Sequence, residues 1–104
     1  MRAAEALSDP TRRRIVELLA ERERSAGELA GEFTTSRPAV SRHLRVLRAH
    51  GLVRVRGEAQ RRLYSLDPAP LAELDAWLGR YRSFWAQRLD ALDTQLVRRR
   101  RESA

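Results

Sequence analysis

The sequence predicts a mainly α-helical fold with one small β-hairpin, and three observations carry this prediction. Alanine, leucine and arginine supply 15, 15 and 21 of the 104 residues, which is a helix-forming composition. Most of the chain places apolar residues at helical spacing, whereas residues 52–66 alternate between apolar and polar side chains as strands do. A chain of this length holds one small domain with a single modest core.

The composition also limits the chemistry of the chain. It contains no cysteine, which excludes disulfides, thiolate nucleophiles and Cys-ligated zinc. Since only two histidines are present, we expect neither a metal nor another cofactor. No run approaches the roughly 18 apolar residues that span a bilayer, and the amino end lacks the pattern of a secretory signal. We therefore expect a cytoplasmic protein with no membrane partner.

The positive charge is concentrated in the middle third of the chain. Residues 34–65 carry eight arginines and one acid, Glu58, so that this segment alone accounts for a charge of +7, the net charge of the whole chain. Cations crowded in this way repel one another unless an anion neutralises them, and a phosphate backbone is the commonest such partner. A solvated basic surface is the alternative interpretation.

Two helices and a turn are predicted before residue 37. Asp9 precedes Pro10, as an N-cap precedes proline at the first helical position, and an apolar stripe then continues to about Glu23. A short helical arm precedes this helix. The segment Ser25-Ala-Gly-Glu28 matches a capping box and opens a second helix of about two turns. A polar turn at residues 34–36 follows.

Residues 37–50 form the next predicted helix, with one apolar and one basic face. At 100° per residue, Val40, Leu44 and Leu47 share a narrow sector that we assign to the core. Gly51 stands where a left-handed C-cap ends a helix. The opposite face, with its flanks, carries Arg37, Pro38, Ser41, Arg42, Arg45, Arg48 and Ala49.

A short helix, a tight turn and a second helix with arginine and serine on its outer face are typical of a helix-turn-helix, whose second helix enters the DNA major groove. The arginine guanidinium can bridge O6 and N7 of guanine, and serine can contact bases or phosphate. A helical hairpin with a solvated face is the alternative.

The alternating segment that follows predicts two strands, joined by the loop Gly57-Glu-Ala-Gln60. A basic hairpin beside a helix-turn-helix is the wing of a winged helix, which lies over the DNA backbone or dips into the minor groove. An edge hairpin whose arginines deter strand association is the alternative. The predicted contacts to double-stranded DNA are Ser36, Arg37, Pro38, Ser41, Arg42, Arg45, Arg54, Arg56, Arg61 and Arg62.

Asp67 and Pro68 are predicted to begin a final helix that runs to about Arg98 and ends in a frayed basic tail. Its apolar stripe exceeds what a winged helix can cover, so we expect a second copy of the chain to cover it. The predicted domain contains a winged helix at residues 1–66 and a dimerisation helix with a basic tail at 67–104. The predicted dimer residues are Leu7, Leu71, Leu74, Leu78, Tyr81, Trp85, Leu89 and Leu92.

Three motifs resemble the ArsR/SmtB family of bacterial winged-helix transcriptional repressors. They are Ala6-Leu-Ser-Asp-Pro-Thr-Arg-Arg-Arg-Ile15, Pro38-Ala-Val-Ser-Arg-His-Leu-Arg-Val-Leu47 and Gly51-Leu-Val53. The resemblance covers residues 4–66 densely. It implies a homodimer that binds an inverted-repeat operator, blocks polymerase and commonly leaves DNA when an inducer binds.

The chain also departs from the family pattern. Where many members carry a metal-sensing Cys motif, this chain has Arg24-Ser-Ala-Gly-Glu-Leu29, and Asp90 and Asp93 on the last helix have no His neighbour. We therefore expect no metal inducer, and the sequence identifies no small-molecule or protein effector. The wing lacks the Gly-Arg tip of related wings. The last helix resembles an aromatic-rich variant of the family, with Trp77, Tyr81, Phe84 and Trp85 packing in a dimer core or, alternatively, forming an effector or docking site.

No catalytic motif is present: the chain has no nucleophile elbow, no glycine-rich phosphate loop and no carboxylate pair tied to a histidine. We therefore expect a binding protein and not an enzyme. The sequence leaves two alternatives to a sequence-specific repressor, namely a sequence-indifferent nucleoid or RNA-binding protein and a winged-helix protein-docking module.

Overall fold

The computed structural model describes residues 1–103 of the chain. They form helices and strands in the order α1 (Arg2–Ala6), α2 (Pro10–Glu21), β1 (Arg24–Ser25), α3 (Ala26–Ala30), α4 (Arg37–Ala49), β2 (Val53–Glu58), β3 (Arg61–Leu66) and α5 (Ala69–Ser103). The chain divides into two compact units, the first of which is Met1–Leu74 and the second of which begins at Asp75. The first unit is the winged helix-turn-helix, and the second is the greater part of α5.

Side-chain caps begin the helices where the sequence predicts them. The Asp9 carboxylate accepts the backbone N–H of Arg12 at 3.1 Å in front of α2. Ser25 and Glu28 form the predicted capping box of α3. Each cap satisfies a backbone N–H that the helix leaves unpaired, a contribution of about 1 kcal/mol. At five residues, α3 is shorter than the two turns predicted.

Gly51 ends α4 in the left-handed conformation that the sequence predicts, with φ 77°. The Leu52 N–H donates to the Leu47 carbonyl and the Gly51 N–H to the Arg48 carbonyl, both at 3.0 Å, which is a Schellman motif. A Cβ at position 51 would lie 3.0 Å from a guanidinium nitrogen of Arg2. The left-handed φ angle therefore favours glycine at the point where the chain passes from α4 into β2.

The wing is part of a three-stranded antiparallel sheet in the order β1-β3-β2, whereas the sequence predicted a hairpin alone. In β1, Arg24 and Ser25 pair with Tyr64 and Leu63 of β3. The prediction missed this strand because two residues are too few to alternate, and because the strand they pair with is distant in the sequence.

The turn at the wing tip is tighter than the predicted four-residue loop. Glu58 pairs with Arg61, so only Ala59 and Gln60 connect β2 to β3. Ala59 has a φ of 54°, in the left-handed region that a residue with a Cβ occupies at a cost. Gly57, predicted as the flexible residue of the loop, lies instead within β2.

The core of the first unit fixes the orientation of α4. Apolar side chains from α1, α2, α3, α4 and the sheet form one cluster, with Ile15, Leu29, Leu44, Leu47 and Leu52 among its fully buried members. Removing a leucine from such a core costs about 2–5 kcal/mol. Because the apolar face of α4 is held in this cluster, its polar face is directed outwards.

The last helix, α5, runs beyond its predicted end. Asp67 accepts the backbone N–H of Ala69 at 3.1 Å at its start, as predicted. The prediction of a frayed tail was wrong, since residues 98–101 are helical. Arginine is a good helix former, and cations near a helix C-terminus interact favourably with the helix dipole. Within residues 1–103, no helix combines the length and the apolar character that crossing a membrane requires.

Candidate nucleic-acid interface

Helix α4 exposes a polar face opposite its core face. Val40, Leu44 and Leu47 are buried, as their spacing predicts. Ser36 caps the helix, its hydroxyl oxygen accepting the N–H of Ala39 at 3.3 Å, which leaves the hydroxyl hydrogen able to donate elsewhere. The predicted outer residues are all exposed, namely Arg37, Pro38, Ser41, Arg42, Arg45, Arg48 and Ala49.

The histidine of α4, His43, and the histidine that follows its last residue, His50, contact carboxylates of the N-terminal segment. Nδ1 of His43 lies 3.7 Å from Oδ2 of Asp9, and Nε2 of His50 lies 3.4 Å from Oε2 of Glu5. Nδ1 of His50 also lies 2.9 Å from the carbonyl oxygen of Val46. These contacts connect α4 to α1 and to the cap of α2, so the histidines position the helix and leave its outer face to other side chains.

Replacing Asp9 with alanine is expected to destabilise the fold by about 0.5–2 kcal/mol, because α2 loses its N-cap. Burial acts to raise the pKa of Asp9, but the hydrogen bond from the Arg12 N–H and the charges of His43 and Arg12 outweigh it and lower the pKa below its ordinary value. The ionised carboxylate therefore stabilises the fold above the pKa of the unfolded state, and this contribution is lost as pH falls through the folded-state pKa.

Urea unfolding of wild type and Asp9→Ala from neutral to strongly acidic pH measures this effect. We expect the stability difference between the two proteins to shrink as the carboxylate is protonated. Asp9→Asn is the matched control, since it keeps a capping oxygen without the charge. A difference that is the same at every pH would contradict the electrostatic part of the account.

The carboxylates of the first unit are all engaged by basic groups. Each of the ten, from Glu5 to Glu73, lies within 3.8 Å of an arginine or histidine nitrogen. Three of these pairs involve the wing: Arg56 with Glu23, Arg56 with Glu58, and Arg54 with Asp67. Arg56 donates to both carboxylate oxygens of Glu23 at 2.9 and 3.0 Å, and this hydrogen bonding lowers the pKa of Glu23. Arg54 lies 3.0 Å from Asp67.

The guanidinium groups of six arginines of the first unit form no hydrogen bond and no ion pair within the described residues. All six lie within the segment 34–65 that carries the excess charge. Because no group of the described residues neutralises their charge, this surface is strongly positive. A positive surface of this kind is expected where a protein binds a polyanion. The six, called here the unpaired arginines, are Arg37, Arg42, Arg45 and Arg48 of α4 and Arg61 and Arg62 of β3.

The wing carries arginines on both of its faces. Strand register places Arg54, Arg56 and Arg61 on one face and Arg62 with Tyr64 on the other. Two of the four predicted wing contacts, Arg54 and Arg56, are paired with carboxylates. The other two, Arg61 and Arg62, are unpaired within the described residues. All four remain predictions as DNA contacts.

Two features of this surface were missed in the sequence. The pairing of Arg56 with Glu23 joins residues 33 positions apart, and no local pattern indicates it. Arg48 was not included among the predicted DNA contacts, although the helical projection already places it on the flank of the basic face.

An open groove of about 660 Å³ separates the C-terminal half of α4 from β2. No acidic residue lines it, and the unpaired Arg45 and Arg48 form one wall. Such a groove suits a phosphate backbone that passes between the helix and the wing. Its lining residues are Arg45, Arg48, Ala49, Val53, Arg54 and Val55.

The predicted dimer residues fall into two groups. Leu7, Leu71 and Leu74 are partly buried against the core of the first unit. The others lie in the second unit and are exposed, up to 58% for Trp85 and 60% for Leu89. A continuous apolar stripe of this kind marks an interaction surface. The exposed members are Leu78, Tyr81, Trp85, Leu89 and Leu92.

The side chains offer no metal centre that would suit metal sensing. The sequence has no cysteine, and among residues 1–103 no three His, Asp or Glu side chains come close enough together to hold an ion.

Comparison with known proteins agrees with this geometry. The family described as "Bacterial regulatory protein, arsR family" matches residues 9–55. "HTH-type transcriptional regulator Rv2034" of Mycobacterium tuberculosis is 50% identical over 85% of this chain and 79% of its own length. "Transcriptional repressor SdpR" of Bacillus subtilis is 36% identical over 70% of this chain and 81% of its own. "Transcriptional activator HlyU" of Vibrio cholerae is 40% identical over 60% and 57%, respectively.

A solved structure agrees with the fold as well. The crystal structure of "Possible transcriptional regulator for arsenical resistance" has a TM-score of 0.70 and 45% identity, covering 88% of this chain and 92% of that one. The predicted winged helix-turn-helix and the family resemblance are thereby confirmed. Its relatives include one protein named as a repressor and one named as an activator. This cysteine-free chain belongs to the ArsR family of bacterial DNA-binding helix-turn-helix transcriptional regulators.

Proposed function

We propose that this chain is a sequence-specific, homodimeric repressor of a palindromic operator. The observation that carries the proposal is the set of six unpaired arginines on α4 and the wing. Helix α4 enters the major groove, where Ser41, Arg42 and Arg45 reach base edges. Arg37 and the wing contact the phosphate backbone or the minor groove.

The dimer forms through α5 and the N-terminal arm. Closed two-fold dimers are the commonest homo-oligomers, and a two-fold axis allows two copies of α4 to enter successive major grooves about 34 Å apart. The exposed stripe on α5 supports this arrangement. In this proposal residues 1–66 bind DNA, residues 67–104 form the dimerisation helix and basic tail, and the protein works in the cytoplasm on the bacterial chromosome.

Repression is the expected direction of regulation, because a dimer seated on a promoter excludes polymerase. The likeness to SdpR, whose name describes a repressor, supports this choice. HlyU is named as an activator, so the direction needs its own test. A reporter fused to the bound promoter should become more active when this protein is deleted, and a loss of activity would contradict repression.

Gel shifts with genomic fragments and random duplex at matched salt test the proposed function. We expect one or a few genomic fragments to bind at least ~10³-fold more tightly than random duplex, the lower end of specific binding. Equal binding of all duplexes would reject the repressor in favour of a sequence-indifferent binder. No duplex binding at all would favour the protein-docking alternative.

The unpaired and paired arginines of the wing should differ in salt dependence. Replacing Arg61 or Arg62 with alanine is expected to reduce the slope of log K against log salt by about 0.9, because one phosphate contact and its counterion release are lost. Arg54→Ala is the matched control. Asp67 already neutralises Arg54 in the protein, so its removal should change the slope less. Fluorescence anisotropy over a salt series measures the slopes, and identical slopes for all variants would contradict the distinction.

A further inference from the structure

An arginine lies within the apolar stripe of α5. At about 100° per residue, Arg88 falls between Phe84 and Tyr81 on the face that carries the exposed aromatic residues. Its guanidinium carbon lies 4.3 Å from the centre of the Phe84 ring, which is a cation–π contact. The α5 aromatic patch, as it is called here, belongs entirely to the second unit and consists of Trp77, Tyr81, Phe84, Trp85 and Arg88.

The rings of the α5 aromatic patch are open to solvent in the single chain. The ring centres of Trp77 and Tyr81 are 5.0 Å apart, and those of Phe84 and Trp85 are 5.6 Å apart. Each of the four residues is between 43% and 58% exposed. Exposed aromatic faces can stack on another planar group, so the patch combines apolar contact with one positive charge.

No carboxylate of α5 is placed to neutralise Arg88. Its guanidinium forms no hydrogen bond and no ion pair among the described residues. Between Leu74 and Arg101 the helix has three acids, and all three lie about 140–160° around the helix axis from Arg88. These acids are Asp75, Asp90 and Asp93.

The proposed dimer would bury Arg88 without supplying an acid to it. A two-fold interface brings together the same surface of both copies, so the second copy presents an α5 face that is equally free of acids. The carboxylates of its first unit are already engaged, each within 3.8 Å of an arginine or histidine nitrogen. Because burying a guanidinium without an anionic partner is unfavourable, the interface favours an anion from outside the protein.

We propose that the α5 aromatic patch binds an aromatic carboxylate. Stacking on Phe84 occupies one face of the Arg88 guanidinium and leaves the N–H groups at its edge able to donate to the two carboxylate oxygens. The aromatic body of the ligand stacks on the neighbouring rings. An inorganic anion would satisfy the charge but would leave these rings without a partner. The proposal rests on the proposed homodimer, because dimerisation is what removes Arg88 from water.

Phenylacetate and its neutral analogue phenylacetamide are the probes that test this site. The chain has two tryptophans and both belong to the patch, so their fluorescence reports binding there. We expect phenylacetate to bind wild type at least about tenfold more tightly than phenylacetamide, because only the carboxylate forms charge-assisted hydrogen bonds with Arg88. This preference should disappear in Arg88→Gln. Arg82→Gln is the matched control and should keep the preference, because Arg82 is paired with Asp75.

Equal binding of the two probes by wild type, or binding of neither, overturns the carboxylate site. A preference for phenylacetate that persists in Arg88→Gln overturns it as well. The titration uses no DNA, so its result is independent of operator binding. Light scattering of the same samples reports the dimer separately. A monomeric wild type contradicts the proposed homodimer, whereas a dimer that does not distinguish the probes contradicts the carboxylate site alone.

Discussion

Arg42→Ala is expected to weaken operator binding by about 1–3 kcal/mol, or about 5- to 150-fold, the value of one bidentate contact to a base. Arg42 is exposed on the outer face of α4, and no carboxylate of the described residues engages it. Its guanidinium can therefore meet O6 and N7 of guanine without breaking an interaction inside the protein. The loss should be confined to one base position in each half-site, because a base contact specifies sequence whereas a phosphate contact does not.

Competition binding with single-base operator variants measures this effect. Wild type should discriminate strongly at one position in each half-site, and Arg42→Ala should lose that discrimination. Arg14→Ala is the matched control, because Arg14 is exposed on α2 and paired with Glu17 at 3.2 Å. An equal loss of affinity for all duplexes would reassign Arg42 to the phosphate backbone and contradict its role as a base reader.

Leu89→Glu is expected to convert the dimer into monomers. Leu89 is 60% exposed in the single chain, so the substitution removes nothing from the core of the first unit. In a two-fold dimer the loss occurs in both copies, and burying a leucine contributes about 1.5–3 kcal/mol each time. Because two buried carboxylates would also be brought together, we expect the dimer Kd to rise at least about 100-fold.

Light scattering of the purified protein at micromolar concentration reports the oligomeric state directly. Wild type should have the mass of two chains, and Leu89→Glu that of one. Gln87→Glu is the matched control, since it adds the same charge to α5 on the face opposite the leucine stripe. Leu89→Glu should also lose cooperative binding to a two-site operator while keeping weak binding to a half-site. A monomeric wild type, or a dimeric Leu89→Glu, would contradict the proposed interface.

The parts of the fold that local chemistry decides could be predicted from the sequence. The Asp9 cap, the Ser25–Glu28 capping box and the left-handed Gly51 each depend on a few neighbouring residues, and all three are present in the structure. The outer face of α4 was predictable for the same reason, because the helical periodicity of the apolar residues separates its buried side from its exposed side. Strand β1 was not, because a two-residue strand exists only through its pairing with β3.

The electrostatics of the site were only partly predictable. Counting charges along the chain located the excess of positive charge within residues 34–65. It could not show which arginines form ion pairs with carboxylates in the folded structure. Arg56 and Arg62 look alike in sequence, and yet Glu23 holds the first while the second has no partner among the described residues. Such pairings depend on tertiary contacts between distant residues, and for this reason the distinction between paired and unpaired arginines required the structure.

The most direct measurement is selection of bound sequences from a library of random duplexes by the full-length wild-type protein. In the proposed dimer, a two-fold axis relates the unpaired arginines of one copy to those of the other. We therefore expect the selection to enrich one palindromic motif. Its half-sites should lie about 10–10.5 base pairs apart, or a multiple of that spacing. If no motif is enriched, or if the enriched motif is a single asymmetric half-site, sequence-specific binding by a two-fold dimer is contradicted.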